Sequence, residues 1–322
     1  MRAMATECPA VSRDVRMELI DILATSRVAN AVSPAGVPSV LAPVLPAACV
    51  LFDVYGTLFV SASGDIGTTL GTSRTEHFSS AIEHAGVAGL QQAAPGAAEQ
   101  FYFEGIESRH AASRERGIPF PEVNILDVWQ EVLVRLAMEG LSVAPSAGDL
   151  AVLAMKTAVW FEVAANPVAP MPGAAELIAA LGESGYLLGI VSNAQFYTPL
   201  LFPALLGREM NEMGFGHELC SWSYLLGEAK PSTLPFRRVL ERLDAGYGIS
   251  PQRVVFVGND MLNDIHAAQS AGCRAVLFAG DERSLRLRRG EPLCANVVPD
   301  GVTRSLGELV ELLHFAAQGR AE

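Results

Sequence analysis

Short uninterrupted apolar runs alternate with longer stretches in which apolar residues recur every three or four positions. The runs Val50-Leu51-Phe52, Leu188-Gly189-Ile190-Val191, Val254-Val255-Phe256-Val257 and residues 275–278 each stop at a turn, the pattern of strands buried on both faces. Between them, 174–181, the stretch from Asp264 through Ala271, and 306–315 carry helical spacing, with Leu306, Leu309, Val310, Leu312 and Leu313 apolar in the last. Pro172-Gly173 precedes the first of these helices. Strands alternating with helices predict a doubly wound α/β core, a parallel sheet covered on both faces.

A second pattern interrupts the first. From about Val60 to Pro167 the chain reads as helices without strands: 73–85, 125–138 and 148–164, punctuated by Pro119, Pro121 and Pro145. In 125–138 the residues Ile125, Val128, Trp129, Val132, Leu133 and Leu136 share one face. Before the first strand, 14–29 carries apolar residues at helical spacing, with Ser12 and Ser33 as cap candidates. Pro34, Pro38, Pro43 and Pro46 then predict an extended linker. No internal repeat and no long low-complexity segment is present. The organisation expected is an N-terminal extension and linker (1–47), a core from 48–60 and 168–322, and a helical insertion (61–167).

Candidate chemistry collects where the strands end, the place at which open α/β sheets bind ligands. Asp53 closes the first strand, followed by Val54-Tyr55-Gly56-Thr57. Gly56 allows a sharp turn, and a carboxylate held there can serve as nucleophile and metal ligand. Ser192 and Asn193 end the second strand and offer polar groups to an anionic oxygen. Pro231 biases Lys230 away from the helical region and could open the following helix, which makes Lys230 a point charge on a loop. Gly258-Asn259-Asp260-Met261-Leu262-Asn263-Asp264 places two acids four residues apart after another strand. Each has an ordinary alternative: a strand-end turn for Asp53, a helix cap for Ser192 and Asp260, a solvated surface charge for Lys230.

Taken in order, these four segments resemble the haloacid dehalogenase-like hydrolase superfamily, over roughly residues 48–280. The resemblance implies a Rossmann-like core with an inserted helical cap. It makes Asp53 the nucleophile, has Ser192 bind the transferred group, and has Lys230 neutralise nucleophile and substrate. Asp260 and Asp264, with Asp53 and the Tyr55 carbonyl, become candidate ligands of Mg²⁺; Tyr55, Gly56, Thr57 and Asn193 face the substrate. The family commonly reads Gly-Asp where this chain has Gly258-Asn259, so either Asp260 takes over the ligand role or Asn259 supplies a neutral oxygen. Phosphatase branches usually carry an acid–base Asp where this chain has Tyr55, and the 2-haloacid dehalogenase branch has Tyr there. A phenol with pKa near 10 is a poor acid–base group at neutral pH, whereas halide leaves without a proton. Dehalogenases, though, work without metal and carry one Asp in the last motif, and two further carboxylates beside Asp53 would be costly without a cation. The expectation is therefore an Mg²⁺-dependent phosphatase of a small phosphorylated metabolite. The alternatives are a metal-independent 2-haloacid dehalogenase with an ester on Asp53, and a binding protein on the same fold.

Whole-chain properties set limits. The 322 residues are 50% hydrophobic with a net charge of −12, which argues against nucleic acid as a main partner; the small anionic substrate is what the resemblance implies. Arg283, Arg286, Arg288 and Arg289 form a local basic cluster, read as a solvated face. Arg109, His110, Arg114 and Arg116 lie together in the insertion; an arginine there suits a planar anion, and exposed helix positions are the ordinary reading. Five cysteines without CxxC spacing imply no zinc site and suit a reducing compartment. No apolar stretch is long enough to span a bilayer, and residues 1–10 lack a signal-peptide core. A cytoplasmic protein that does not engage membranes is expected, with the extension as a candidate homo-oligomer contact.

Overall fold

The structure is a computed structural model that describes residues 12–28, 32–41, 47–62 and 75–318. Its centre is a six-stranded, all-parallel sheet in the order β5-β4-β1-β6-β7-β8. The strands are β1 (Cys49–Phe52), β4 (Leu187–Ser192), β5 (Phe215–Trp222), β6 (Val254–Gly258), β7 (Arg274–Phe278) and β8 (Gly301–Thr303). β2 (Phe59–Ser61) and β3 (Val168–Pro170) form a separate antiparallel pair. The helices are α1 (Arg13–Leu23), α2 (Thr75–His84), α3 (Ala94–Glu115), α4 (Ile125–Met138), α5 (Leu150–Ala165), α6 (Ala174–Glu183), α7 (Ser223–Leu226), α8 (Leu234–Tyr247), α9 (Ala267–Ser270) and α10 (Leu306–Gln318).

Every residue of β1 and β6 is buried, as expected of a parallel sheet covered on both faces. Alternation along β1 divides the core. Val50 and Phe52 join the apolar cluster that includes α6 and α10, and Cys49 and Leu51 join that of α8. β1 pairs with β4 on one side and β6 on the other, with Phe52 opposite Ile190 and Val257. Chain order therefore reverses at β1, and a crevice opens beyond its carboxyl end.

The chain leaves the sheet through β2 and returns through β3, and α2, α3, α4 and α5 lie between them. They pack around an aromatic cluster in which Phe78 meets Phe161 at a centroid distance of 4.7 Å and Tyr102 meets Trp129 at 5.1 Å. The helix expected over 73–85 is present from Thr75; its first two positions lie outside the described residues. α4 spans the residues expected, and α5 is shifted by a residue or two. The 22-residue α3 has no counterpart among the helices read from periodicity. Its buried residues include Ala94, Ala98, Phe101, Tyr102, Gly105 and Ser113, too small and too mixed to make an apolar stripe.

α1 forms over the first part of the expected segment, with Ser12 accepting a hydrogen bond from the Val15 N–H, and Leu19 and Leu23 fully buried. Lys156 on α5 pairs with Glu18 at 2.7 Å. Ser33 caps no helix. The linker instead pairs Val40 with Val302, giving the exposed edge of β8 a backbone partner. Residues 42–46, with Pro43 and Pro46, lie outside the described residues, as does Cys8. Cys49, Cys220 and Cys273 are buried. Pro231 does not open a helix: α8 begins at Leu234, with Pro235 in its first turn. Among the described residues no helix is long and apolar enough to cross a membrane.

Candidate active site

Asp53 follows β1 with 8% of its surface exposed, its N–H bonded to the Val257 carbonyl at 2.9 Å. The chain then turns through Gly56 at φ +81°. A Cβ on Gly56 would stand 2.6 Å from Asn259 Nδ2 and 2.7 Å from Ser284 Cβ, so both the turn and the close approach of the β6 loop require glycine.

Lys230 is the centre of the site. It is 4% exposed, and its Nζ donates to Asp53 Oδ1 at 2.8 Å, Asp264 Oδ1 at 2.6 Å and the Val191 carbonyl at 3.1 Å. Burial alone would depress the ammonium, yet the carboxylates of Asp264 and Asp53 carry its pKa above the ordinary lysine value. Asn193 fixes the loop that presents it. Its Oδ1 accepts from the Lys230 N–H at 2.8 Å and its Nδ2 donates to the Lys230 carbonyl at 3.1 Å. Asn193 also lines the cleft. Ser192 is 1% exposed, with its hydroxyl directed to the Asn193 carbonyl at 3.4 Å, and Thr57 is fully buried, donating to Asn259 Oδ1 at 3.2 Å.

The acidic turn after β6 is a π-helical turn, Met261–His266, opened by a bond five residues long from the Ile265 N–H to the Asp260 carbonyl at 3.1 Å. Asp260 caps it, accepting from the Leu262 and Asn263 N–H groups at 2.8 and 3.2 Å. Asp260 is also gripped by Arg288, whose Nε and Nη2 reach its carboxylate at 3.1 and 2.5 Å. Arg288 makes this two-pronged contact from a left-handed backbone at φ +47°, a conformation that costs a non-glycine residue about 1–2 kcal/mol. Asp264 is 1% exposed and lies beneath Gly258, where a Cβ would come within 2.4 Å of its Cγ. Its second oxygen accepts from the Asp260 N–H at 2.9 Å. Burial, together with the charges of Asp53 and Asp260, pushes its carboxyl up to about 7 in spite of Lys230.

Asp53, Asn193, Lys230, Asn259, Asp260 and Asp264 face a cleft of about 220 Å³, whereas Ser192, Gly56 and Thr57, expected at the substrate, lie behind its lining; Ser61, Glu122, Gln195, Asn263 and Arg286 line it without having been singled out by the sequence as cleft residues. Glu122 comes from the segment between α3 and α4. Only the fold brings it to the cleft: its N–H bonds the Gly227 carbonyl at 3.1 Å, and Ala229 N–H bonds the Phe120 carbonyl at 2.8 Å. Tyr55 lines the cleft, with its hydroxyl 3.0 Å from Thr198 Oγ1. Burial and nearby Glu162 push the phenol well above its ordinary value. The cluster in the insertion stays outside the cleft. Arg109 pairs with Glu131 at 2.7 Å, Arg114 with Glu107 at 3.5 Å, and Arg116 bonds Ser113 at 3.0 Å. His110 is likewise outside the cleft lining, its imidazole depressed by burial and Arg114.

Four carboxylates thus line the cleft, Asp53, Glu122, Asp260 and Asp264, with Lys230 and Arg286 beside them and Arg288 paired to Asp260. Among the described residues no group of three His, Cys, Asp or Glu side chains is arranged to hold a metal. A hard cation needs only one or two carboxylates beside other oxygens. The second Asp53 oxygen and Asn259 Oδ1, which accepts one bond from Thr57, are oxygen donors of that kind at the cleft. These oxygen donors fit Mg²⁺.

The model of the haloacid dehalogenase-like hydrolase family matches residues 47–272, the whole stretch from β1 through the acidic turn. The chain belongs to that family. The phosphoglycolate phosphatase of Escherichia coli K12 is 34% identical over 117 residues, 36% of this chain and 42% of the enzyme. The phosphoglycolate phosphatase of Haemophilus influenzae KW20 is 32% identical over 122 residues, 38% of this chain and 50% of the enzyme. The matches thus span half or less of these curated relatives. Among solved structures, the 2-haloacid dehalogenase of Pseudomonas syringae pv. tomato DC3000 superposes with a TM-score of 0.52 at 20% identity, over 84% of this chain and 99% of that one. That likeness establishes the haloacid dehalogenase-like fold.

Proposed function

We propose that this haloacid dehalogenase-like hydrolase removes phosphate from a small phosphorylated metabolite through an aspartyl-phosphate on Asp53, with Mg²⁺ as cofactor. The reading rests above all on the buried Lys230 bridge, which engages one oxygen of Asp53 at the wall of the cleft. The phosphoglycolate phosphatases among its relatives add weight and make phosphoglycolate the first ester to test.

Asp53, the Tyr55 carbonyl and the oxygens of the Asn259–Asp260–Asp264 turn would hold the metal, which when bound supplies charge neutralisation to a phosphoryl dianion. Asp53 attacks phosphorus in line with the leaving oxygen. Lys230 keeps the nucleophile oriented and offers positive charge to the equatorial oxygens. Ser192 and Asn193 close the β4 side, Asn193 by holding the Lys230 loop. The helical insertion acts as a cap that narrows the cleft and limits water. Hydrolysis of the aspartyl-phosphate then regenerates Asp53.

Metal-independent 2-haloacid dehalogenation is the second reading, favoured by two observations. Tyr55 holds a half-buried phenol at the phosphatase acid–base position, and Arg288 already neutralises Asp260. Phosphate release from phosphoglycolate with Mg²⁺, lost in EDTA, separates the two. Halide release from 2-chloropropionate that is indifferent to EDTA would replace the first reading by the second.

A further inference from the structure

With Tyr55 bonded to Thr198, the phosphatase reading leaves the leaving alcohol without a proton donor and the second water without a base. We propose that Glu122 fills both roles: its carboxyl protonates the leaving oxygen as Asp53 attacks, and the resulting carboxylate then takes a proton from the water that hydrolyses the aspartyl-phosphate. The inference rests on the phosphatase reading and deepens it.

Glu122 lines the same cleft as Asp53 and Lys230. Its position is built rather than incidental. The 120–122 segment bonds backbone to backbone with 227–229, the loop that delivers Lys230, so Glu122 and Lys230 are set by one ladder. Gln195, just beyond β4, holds the other end. Its Oε1 accepts from the Ile125 N–H at 3.0 Å and its Nε2 donates to the Val123 carbonyl at 2.9 Å. The carboxylate itself accepts from the Val123 N–H at 2.8 Å and from the Ser223 hydroxyl at 2.9 Å, which fixes its rotamer. Its bonds are to neutral partners, unlike Asp53 and Asp264 on Lys230 or Asp260 on Arg288. Burial is the main influence on its pKa and raises it, against the two hydrogen bonds that lower it. A larger share of protonated carboxyl near neutral pH is what an acid for this step requires.

The balance is simple. Asp53 forms the bond to phosphorus, the ester P–O bond breaks, and the alkoxide takes the Glu122 proton and leaves as alcohol. Water attacks the aspartyl-phosphate, gives its proton to Glu122, and phosphate departs from Asp53. One water is consumed and both carboxyl groups return to their starting states.

The test compares Glu122→Gln with the unaltered protein, in Mg²⁺, on phosphoglycolate and on 4-nitrophenyl phosphate, whose leaving group needs no proton. For phosphoglycolate we expect kcat/KM to fall about 10²–10⁴-fold. For 4-nitrophenyl phosphate we expect kcat/KM within a few-fold of the unaltered protein, which also reports an intact fold. It should come with one rapid equivalent of nitrophenol and a slow steady state, because dephosphorylation has lost its base. Loss of both esters by the same factor, or of neither, would overturn the inference while leaving the phosphatase reading standing. An unaltered protein that is inert on both esters but releases halide would overturn both. Should Glu122→Gln not fold, the unaltered protein's own leaving-group series decides: a shallow dependence of kcat/KM on leaving-group pKa is expected, and a steep one refutes the role.

Discussion

Replacing Lys230 by Met tests how the site is held together. Lys230 is buried with two carboxylates on one ammonium, and removing one partner of a buried ion pair typically costs about 3–5 kcal/mol, because the abandoned charge stays buried. The remaining acids limit the loss by taking up protons, which makes it pH-dependent. Asp264 has a folded-state pKa of about 7 against an ordinary 3.8, so its contribution to stability is complete below the lower value and lost as pH rises through the upper one. Without Lys230 the folded-state value rises further, and that loss extends to higher pH. Each additional pH unit over which the folded variant holds a proton released by the unfolded chain costs about 1.4 kcal/mol. Urea unfolding of metal-free protein should therefore show Lys230→Met less stable by about 3–5 kcal/mol at pH 8, and by about 1 kcal/mol less than that at pH 6. A loss under about 1 kcal/mol at pH 8, or one equal at both pH values, would refute the reasoning that Lys230 is the charge on which Asp53 and Asp264 depend.

Other consequences follow from the same geometry. Gly56→Ala forces a side chain into a left-handed turn and against Asn259 and Ser284; we expect about 2–5 kcal/mol of destabilisation by urea unfolding, with hydrolysis impaired even where the variant stays folded. Glu162 is buried beneath the Tyr197 hydroxyl at 2.8 Å and Asn166 Nδ2 at 2.8 Å, and burial raises its carboxyl. Stability it contributes below its unfolded value of 4.5 is lost as pH climbs through the folded one, so Glu162→Gln should flatten the decline in melting temperature on raising pH from 4. An unchanged slope would mean that the carboxyl is charged in the folded protein.

Four of the six strands, β1, β4, β6 and β7, were legible because they are buried almost throughout; β5, with a partly exposed start, and the three-residue β8 were not. Val50-Leu51-Phe52 and Val254-Val255-Phe256-Val257 have no polar face to confuse, and each ends where the site begins. α4 was legible for the opposite reason, a clean apolar stripe ending on Trp129 and Leu136. α3 was not, because Ala98 and Gly105 pack by being small and small residues leave no periodic signal. Asp53 and Asp264 stood out because each closes or follows a recognisable strand, and Lys230 because it stands before Pro231 in the order the family's motifs take. What they bond was not legible: Arg288 reaches Asp260 across 28 positions, and the Ser223 hydroxyl reaches Glu122 across 101. No local spacing records such pairings. The π-helical turn after Gly258, in which Asp260 caps while Asp264 meets Lys230, is likewise invisible to local spacing.

The most direct measurement is an acid quench during turnover of phosphoglycolate with Mg²⁺, followed by peptide mapping. A phosphoryl group on the peptide carrying Asp53, absent from Asp53→Asn, is the predicted result. Phosphate release without any adduct on that peptide, and undiminished in Asp53→Asn, would contradict the account.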